Sequence, residues 1–198
     1  QAADVVVVNH HLFLADLALR DDAIADFLPA VDTVVIDEAH QLPEVAADFF
    51  GSMLSLSQIA ELARDARALG ASRASDGAPW SRLADALERA TREVRLTLAE
   101  QGLEAGRRVA LDRLPAPAAL ATQLQSAGGA LADLTEALEA NRHRDAELDL
   151  LGPRAAEIGR AIGAWQRAAE QPQASDGSES GPLVRWVSTS AHGAQFHA

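Results

Sequence analysis

The hydrophobic period of the chain changes near residue 43, and this change constrains the fold more than any other feature. From residue 43 to 171, apolar side chains recur every three or four residues, which is the period of an amphipathic helix. Four stripes result, with apolar positions at Leu56, Ile59, Leu62, Ala66 and Leu69, at Leu83, Leu87, Val94 and Leu98, at Leu120, Leu124, Ala127, Leu131, Leu134 and Leu138, and at Leu151, Ala155, Ile158, Ile162, Trp165 and Ala169. We therefore predict a mostly α-helical fold in which long helices are antiparallel neighbours.

Local signals predict where these helices begin and end. Ser55 and Gln58 have the spacing of a capping box, and Gly70 is a suitable stop for the first helix. Ser81 can cap the second helix. In the last helix, Pro153 is either a first-turn residue or the cause of a kink.

Strand composition occurs at both ends of the chain. The β-branched runs Val5–Val8 and Val34–Ile36 flank a stretch with helical spacing, which predicts a strand-helix-strand piece of an α/β domain with parallel strands. Residues 172–182 are polar and rich in Pro, Ser and Gly, so we predict a flexible linker there. Leu183–Val187 and Gln195–His197 surround a turn-like stretch, which predicts a closing β-hairpin.

The second valine run leads directly into Asp37-Glu38-Ala39-His40, the DEAH segment. Ligands of open α/β sheets gather where the strands end, so both carboxylates would lie at a binding edge. In P-loop ATPases an aspartate at this place holds Mg²⁺, and an adjacent acid can position the attacking water. However, the sequence contains no G-x-x-x-x-G-K-[ST], and all 17 of its basic residues are arginines. The residues therefore indicate either part of a larger ATPase or a chance motif.

Composition excludes several other kinds of chemistry. The chain has no cysteine, which rules out disulfides, thiolate metal sites and cysteine nucleophiles within it. The net charge of −12 argues against non-specific nucleic-acid binding by the whole surface, although local basic faces remain compatible with it. No apolar run reaches the roughly 20 residues of a membrane helix, so we expect a cytoplasmic protein without membrane contact.

One helix carries a row of arginines that offers such a local basic face. Arg89, Arg92 and Arg95 recur at helical spacing, next to acidic residues such as Asp85 and Glu88. A solvated face held by ion pairs is the favoured interpretation, and a DNA-facing strip is the alternative.

The two ends of the chain together resemble a known family. Ala3–Leu12 and Val34–His40 resemble the DinG/YoaA/XPD group of superfamily 2 DNA helicases, and Val184–Val187 with Phe196–Ala198 is similar to the segment that returns to their motor domain. In this group a helical domain, the arch, is inserted after the DEAH box. The resemblance implies four segments: 1–42, a fragment of the RecA-like motor domain 1; 43–171, the arch-type insertion; 172–182, the linker; and 183–198, the hairpin returning to motor domain 1.

The resemblance also implies an activity and roles for single residues. It implies an ATP-dependent DNA helicase of the repair or replication type that moves 5′ to 3′ on single-stranded or forked DNA, with ATP and Mg²⁺ as cofactors. Asp37 would bind the Mg²⁺ of MgATP, Glu38 would orient and deprotonate the attacking water, and His40 would relay the result. The arch would enclose or gate the single strand. Many members also hold an iron–sulfur cluster through four cysteines, and this chain contains none of those ligands.

We expect the chain to be a fragment of a longer helicase whose remaining motor is its partner. Because the phosphate-binding loop is missing, we expect the isolated chain to be inactive. Strands cut from a sheet expose unpaired edges, so a dimer through those edges is a further expectation. The alternative is a non-catalytic helical module for protein or DNA interaction, in which the DEAH sequence is incidental.

Overall fold

The computed structural model describes residues 4–21, 27–42, 45–46, 53–170, 185–190 and 193–197. The chain forms two compact units, residues 1–52 and residues 53–198. The predicted linker at residues 172–182 lies outside the described residues. The boundaries of the four predicted segments stay a prediction, but the closing hairpin lies in the same unit as the long helices.

The first unit contains the helix that was predicted between the two valine runs. Helix α1 spans His10–Asp21, and a 3₁₀ turn spans Ala39–Gln41. The helix begins where it does because the side-chain oxygen of Asn9 accepts a hydrogen bond from the backbone N–H of Leu12 at 2.8 Å. This contact satisfies one of the N–H groups that every helix start leaves unpaired.

Neither valine run of the first unit forms a strand. The predicted strand-helix-strand is therefore wrong for both strands, and only its helix is present. Residues 5–8 and 34–36 have no strand pairing. The exposed fractions of Val5, Val7 and Val35 are 78%, 91% and 90%. A parallel strand is stabilised by hydrogen bonds to neighbouring strands and by burial of both faces. Within the described part of the chain, these runs receive neither.

The second unit is built on long helices, as predicted. They are α2 (Leu56–Arg73), α3 (Trp80–Glu100), α4 (Pro117–Ala140) and α6 (Leu151–Glu170), with the short α5 (Ala146–Asp149) before the last. Helix α3 packs against α2 and α4, and α6 packs against α4 and α2. The four long helices therefore surround a common core, and the mostly helical class is confirmed.

The predicted apolar stripes form this core. All six positions of the third stripe are buried on α4. On α2 and α3 only Leu69 and Leu83 are partly buried, and both still pack against the core. On α6 the stripe from Leu151 to Trp165 is buried, whereas the side chain of Ala169 lies outside the described residues. Within the described residues, none of the helices combines the length and apolar character that crossing a bilayer requires.

Several helix ends differ from the sequence prediction. Ser55 precedes α2, but its hydroxyl bonds to the hydroxyl of Ser57 at 2.7 Å and makes no capping hydrogen bond. Helix α3 begins at Trp80, after Pro79, so Ser81 lies inside the helix. Pro153 lies in the first turn of α6, which was one of the two predicted alternatives.

Gly70 does not stop α2, because the helix continues to Arg73. Its role is to make room for Trp80, which starts the next helix. A Cβ placed on Gly70 would lie 2.2 Å from Cδ2 of the Trp80 indole. The same indole donates a hydrogen bond from Nε1 to the carbonyl oxygen of Ala74 at 2.6 Å. Gly70 therefore allows a close contact between α2 and α3.

Four short strands complete the second unit as one antiparallel sheet. The strands are β1 (Met53–Ser55), β2 (Arg108–Ala110), β3 (Trp186–Ser190) and β4 (Gly193–His197), in the order β1-β4-β3-β2. Strands β3 and β4 form the predicted hairpin. Strand β1 pairs with β4, and Met53 lies opposite His197. The first and last strands of this unit are therefore neighbours.

The inner face of the sheet shares the core of the helices. Leu54, Val187 and Phe196 have exposed fractions of 1%, 0% and 0%. The ring of Trp165 on α6 meets the ring of Phe196 edge to face, with centroids 5.0 Å apart and planes at 83°. This is a favoured arrangement for two aromatic rings. The hairpin is thus fixed to the last long helix.

The packing of Gly70 leads to a first prediction. We expect Gly70→Ala to lower the free energy of unfolding by about 1–3 kcal/mol, because the new methyl group overlaps the Trp80 indole. The matched control is Gly129→Ala in α4, where an added Cβ meets nothing within 4 Å. That control should raise stability by about 0.5–1 kcal/mol through its helix propensity. Urea titrations followed by far-ultraviolet circular dichroism measure both, and equal effects would contradict the predicted contact.

Candidate functional site

The DEAH segment begins in irregular backbone and enters the 3₁₀ turn, with all four of its side chains exposed. Asp37 accepts a hydrogen bond on Oδ1 from the backbone N–H of Glu38 at 2.9 Å. Its second carboxylate oxygen has no partner among the described residues. One oxygen therefore orders the local backbone, and the other is available to a ligand.

The first residue of α1 contacts this segment. His10 places its Nε2 2.9 Å from the backbone carbonyl oxygen of Asp37. Because a carbonyl only accepts, Nε2 must carry the proton for this hydrogen bond to form. This contact joins the start of α1 to the DEAH segment.

Glu38 stands at a sharp bend of the backbone. Its φ and ψ angles are 50° and 41°, in the left-handed region, which costs a non-glycine residue about 1–2 kcal/mol. The carboxylate oxygen Oε2 of Glu38 lies 3.2 Å from Nδ1 of His40, and both side chains are mostly exposed. The two residues that were predicted to act in sequence are thus in direct contact.

Asp16 is a positioning residue that the sequence reasoning missed. This carboxylate on α1 is only 3% exposed. Its Oδ1 accepts hydrogen bonds from the backbone N–H groups of Phe27 at 2.7 Å and Leu28 at 2.8 Å. It therefore fixes the chain that leads toward residues 34–36. A buried acid on a helix that otherwise looks amphipathic is the signal that could have identified it.

The residues at the DEAH segment fit part of a magnesium site. Protein sites usually hold Mg²⁺ through one or two carboxylates, with substrate phosphates and water completing the shell. Asp37 offers one carboxylate with an available oxygen. No cluster of three or more His, Cys, Asp or Glu side chains that could hold a metal occurs in the described ranges. The arrangement suits an ion that arrives with a nucleotide rather than one held by this chain alone.

The arginine row lies on the exposed side of α3. It consists of Arg89, Arg92 and Arg95. The acidic neighbours that were expected to pair with this row are engaged by Arg67 of α2, whose Nη2 lies 2.6 Å from Asp85 and 3.1 Å from Glu88. Among described residues, none of the three arginines takes part in an ion pair. The arginine row is exposed to solvent, as predicted, but its guanidinium groups do not pair with Asp85 or Glu88.

The curated proteins that are similar to this chain are ATP-dependent DNA helicases, whereas no family model matches it. It is 41% identical over 100 residues to the ATP-dependent DNA helicase YoaA of Escherichia coli (strain K12), which covers 50% of this chain and 16% of that protein. The ATP-dependent DNA helicase YoaA of Haemophilus influenzae is 35% identical over 96 residues, which covers 48% of this chain and 15% of that protein.

A third relative carries the other family name. The ATP-dependent DNA helicase DinG of Photobacterium profundum is 46% identical over 54 residues, covering 27% of this chain and 8% of that protein. Together these similarities support the DinG/YoaA-like helicase family that the sequence predicted. The aligned part is a small share of each relative.

The contacts of Asp16 lead to a second prediction. We expect Asp16→Ala to remove the hydrogen–deuterium exchange protection of the Phe27 and Leu28 amides, because both lose a charged acceptor. Hydrogen bonds to charged groups contribute about 1.5–3 kcal/mol each. Exchange measured by mass spectrometry on overlapping peptides tests this. Asp32→Ala, which changes an exposed acid of the same unit, is the control, and unchanged protection in Asp16→Ala would contradict the assignment.

Proposed function

We propose that the chain is part of an ATP-dependent DNA helicase, comprising the acidic half of its ATPase site and a helical domain inserted next to it. The observation that carries this proposal is the match of half the chain to YoaA, in a sequence that also contains the DEAH segment. The proposed substrate is single-stranded or forked DNA in repair or replication, with 5′ to 3′ movement. These details rest on the family resemblance.

The proposed mechanism assigns one task to each residue of the DEAH segment. Asp37 would hold the Mg²⁺ of MgATP through its available oxygen, and the ion would supply charge neutralisation at the phosphates. Glu38 would orient the attacking water and accept its proton. His40 contacts the Glu38 carboxylate, so it can respond when that carboxylate changes its protonation state. The phosphate-binding loop would come from the rest of the motor, which is the proposed partner.

The topology of the second unit supports the proposed insertion. The chain enters this unit at Met53, and the last strand of the unit ends at His197. These two residues are paired across the sheet. Adjacent ends allow a domain to be inserted into another without distorting its host. The helical block is therefore a suitable arch-type domain that could enclose or gate a single strand.

The exposed valines of the first unit suit a partner surface. Val5, Val7 and Val35 are each at least 78% exposed, and Phe27 of the same unit is 65% exposed. Pairing with neighbouring strands of the remaining motor would bury these side chains. A second copy of this chain is the competing occupant, and the concentration dependence of the mass in light scattering separates the two.

A third prediction tests the ATPase assignment in the longer helicase. We expect Glu38→Gln to lower ATP turnover at least 100-fold while MgATP binding is retained, because only the proton acceptor is lost. Asp37→Asn should weaken MgATP binding as well, since it removes the carboxylate for the ion. Turnover is measured by phosphate release and binding by fluorescent-nucleotide titration, with Asp32→Asn as the control.

The isolated chain provides the complementary result. Without a phosphate-binding loop it should hydrolyse no ATP above background. Metal-dependent turnover by the purified chain, or full activity of the Glu38→Gln helicase, would overturn the assignment.

A fourth prediction tests the arginine row as a DNA contact. We expect the triple change of Arg89, Arg92 and Arg95 to alanine to weaken DNA binding to single and double strands alike, because phosphate contacts carry no preference for unpaired bases. The slope of log affinity against log salt should fall by about 2 for three lost contacts on a single strand. Fluorescence anisotropy over a salt series measures this, and Arg64→Ala on α2 is the control. An unchanged slope would leave the row as a solvated face only.

The second candidate function is a helical interaction module with an incidental DEAH sequence. It is favoured by the exposed, irregular setting of Asp37 and by the absence of strand pairing among the described residues of the first unit. It predicts no phosphate-binding loop anywhere in the full-length gene product. Sequencing the gene in both directions from this segment decides between the two.

A further inference from the structure

The sheet has a second face, opposite the face that packs into the helical core. Residues on its strands alternate between the core and the opposite side. The core side carries Leu54, Val187 and Phe196. The opposite side, called the outer sheet face, carries Met53, Arg108, Trp186, Ser188, Gln195 and His197. On this face Met53, Arg108 and Gln195 are exposed, and the other three are half-buried.

Three planar side chains form a row across the outer sheet face. The rings of Trp186 and His197 are stacked, with centroids 4.9 Å apart and planes at 9°. On strand β2, the guanidinium carbon of Arg108 lies 5.5 Å from the Trp186 ring centroid. The Ser188 hydroxyl lies 3.2 Å from Nε2 of His197. These contacts hold the stacked pair in a defined orientation on the sheet.

The charge of the sheet is opposite to that of the chain as a whole. The four strands contain Arg108 and no aspartate or glutamate, although the chain has a net charge of −12. Arg107 directly precedes β2 and is also exposed. The strands themselves therefore contribute no carboxylate that would repel a polyanion.

The indole nitrogen of Trp186 is buried without an acceptor in the described part of the chain. Buried donors in folded proteins are normally paired, because an unpaired donor costs about 1–3 kcal/mol. A ligand rich in acceptor oxygens would satisfy this indole if its side chain shifts slightly on binding.

We propose that the outer sheet face binds single-stranded DNA, with an unpaired base stacked against the Trp186–His197 pair and a phosphate at Arg108. Flat antiparallel sheets with aromatic side chains and nearby arginines suit unpaired bases, since every base offers a π-face and duplex bases are already stacked. The choice of DNA rests on the proposed helicase function. The proposed site shares no residue with the DEAH segment or with the arginine row.

The test uses the 198-residue chain and a fluorescein-labelled oligothymidylate of 15 nucleotides. We expect salt-sensitive binding, with quenching of tryptophan emission as the base stacks. Trp186→Ala should weaken binding about tenfold, and Trp186→Phe should retain most of it because a ring remains. Arg108→Ala should reduce the salt slope by about 0.7, the value for one phosphate on a single strand. Arg160→Ala, which changes an exposed arginine of α6, is the control.

Thermal melts followed by circular dichroism establish that each variant is folded. Arg108 is exposed, so its variant keeps the test valid if Trp186→Ala fails to fold. Three results would each overturn the inference. They are a failure of the chain to bind the oligonucleotide at low salt, an equal weakening of binding by Arg108→Ala and Arg160→Ala, and an affinity for a duplex that equals the affinity for the single strand. The proposed helicase function fails on a different result, because it is judged by ATP turnover in the longer protein.

Discussion

The contact between Trp165 and Phe196 is the constraint on which the second unit depends. Phe196 lies on β4, which is flanked by β1 on one side and β3 on the other. Its edge-to-face contact with Trp165 therefore attaches three strands at once to the last long helix. Because β1 immediately precedes α2, the same contact brings the beginning and the end of the unit together. Its closed topology, and the suitability of this unit as an insertion, follow from this packing.

The sequence predicted the helices well, because a helix records its buried face at short range. The stripe from Leu120 to Leu138 is buried at every position. The sequence predicted the helix ends less well. Glycine is a common helix stop, but Gly70 lies inside its helix and makes room for the indole of Trp80, which starts the next helix. Strands β1 and β2 were missed for a physical reason. Each has three residues, too few to display a period, and Met53 finds its partner at the far end of the chain.

The DEAH segment shows the same division between local and non-local information. Its residue types and order were enough to predict Asp37 and Glu38 as site residues, and those roles stay a prediction. The hydrogen bond from His10 and the buried acceptor at Asp16 depend on how α1 packs, which no short motif records. The valine runs were expected to be strands from their composition alone. Strand formation requires neighbours, and these runs are exposed in the first unit.

The net charge of the chain limits nucleic-acid binding less than it first suggests. Electrostatic attraction in physiological salt acts over about 8 Å, so the charges near a surface matter more than the total. On α3, Arg67 of the neighbouring helix occupies the acids beside the arginine row, and the strands of the sheet contain no acid. Both surfaces can therefore attract phosphates within an acidic molecule. They would still differ in selectivity, since guanidinium groups alone bind any phosphate backbone, whereas a stacked aromatic pair requires an unpaired base. The outer sheet face is thus the surface whose chemistry can distinguish a single strand from a duplex.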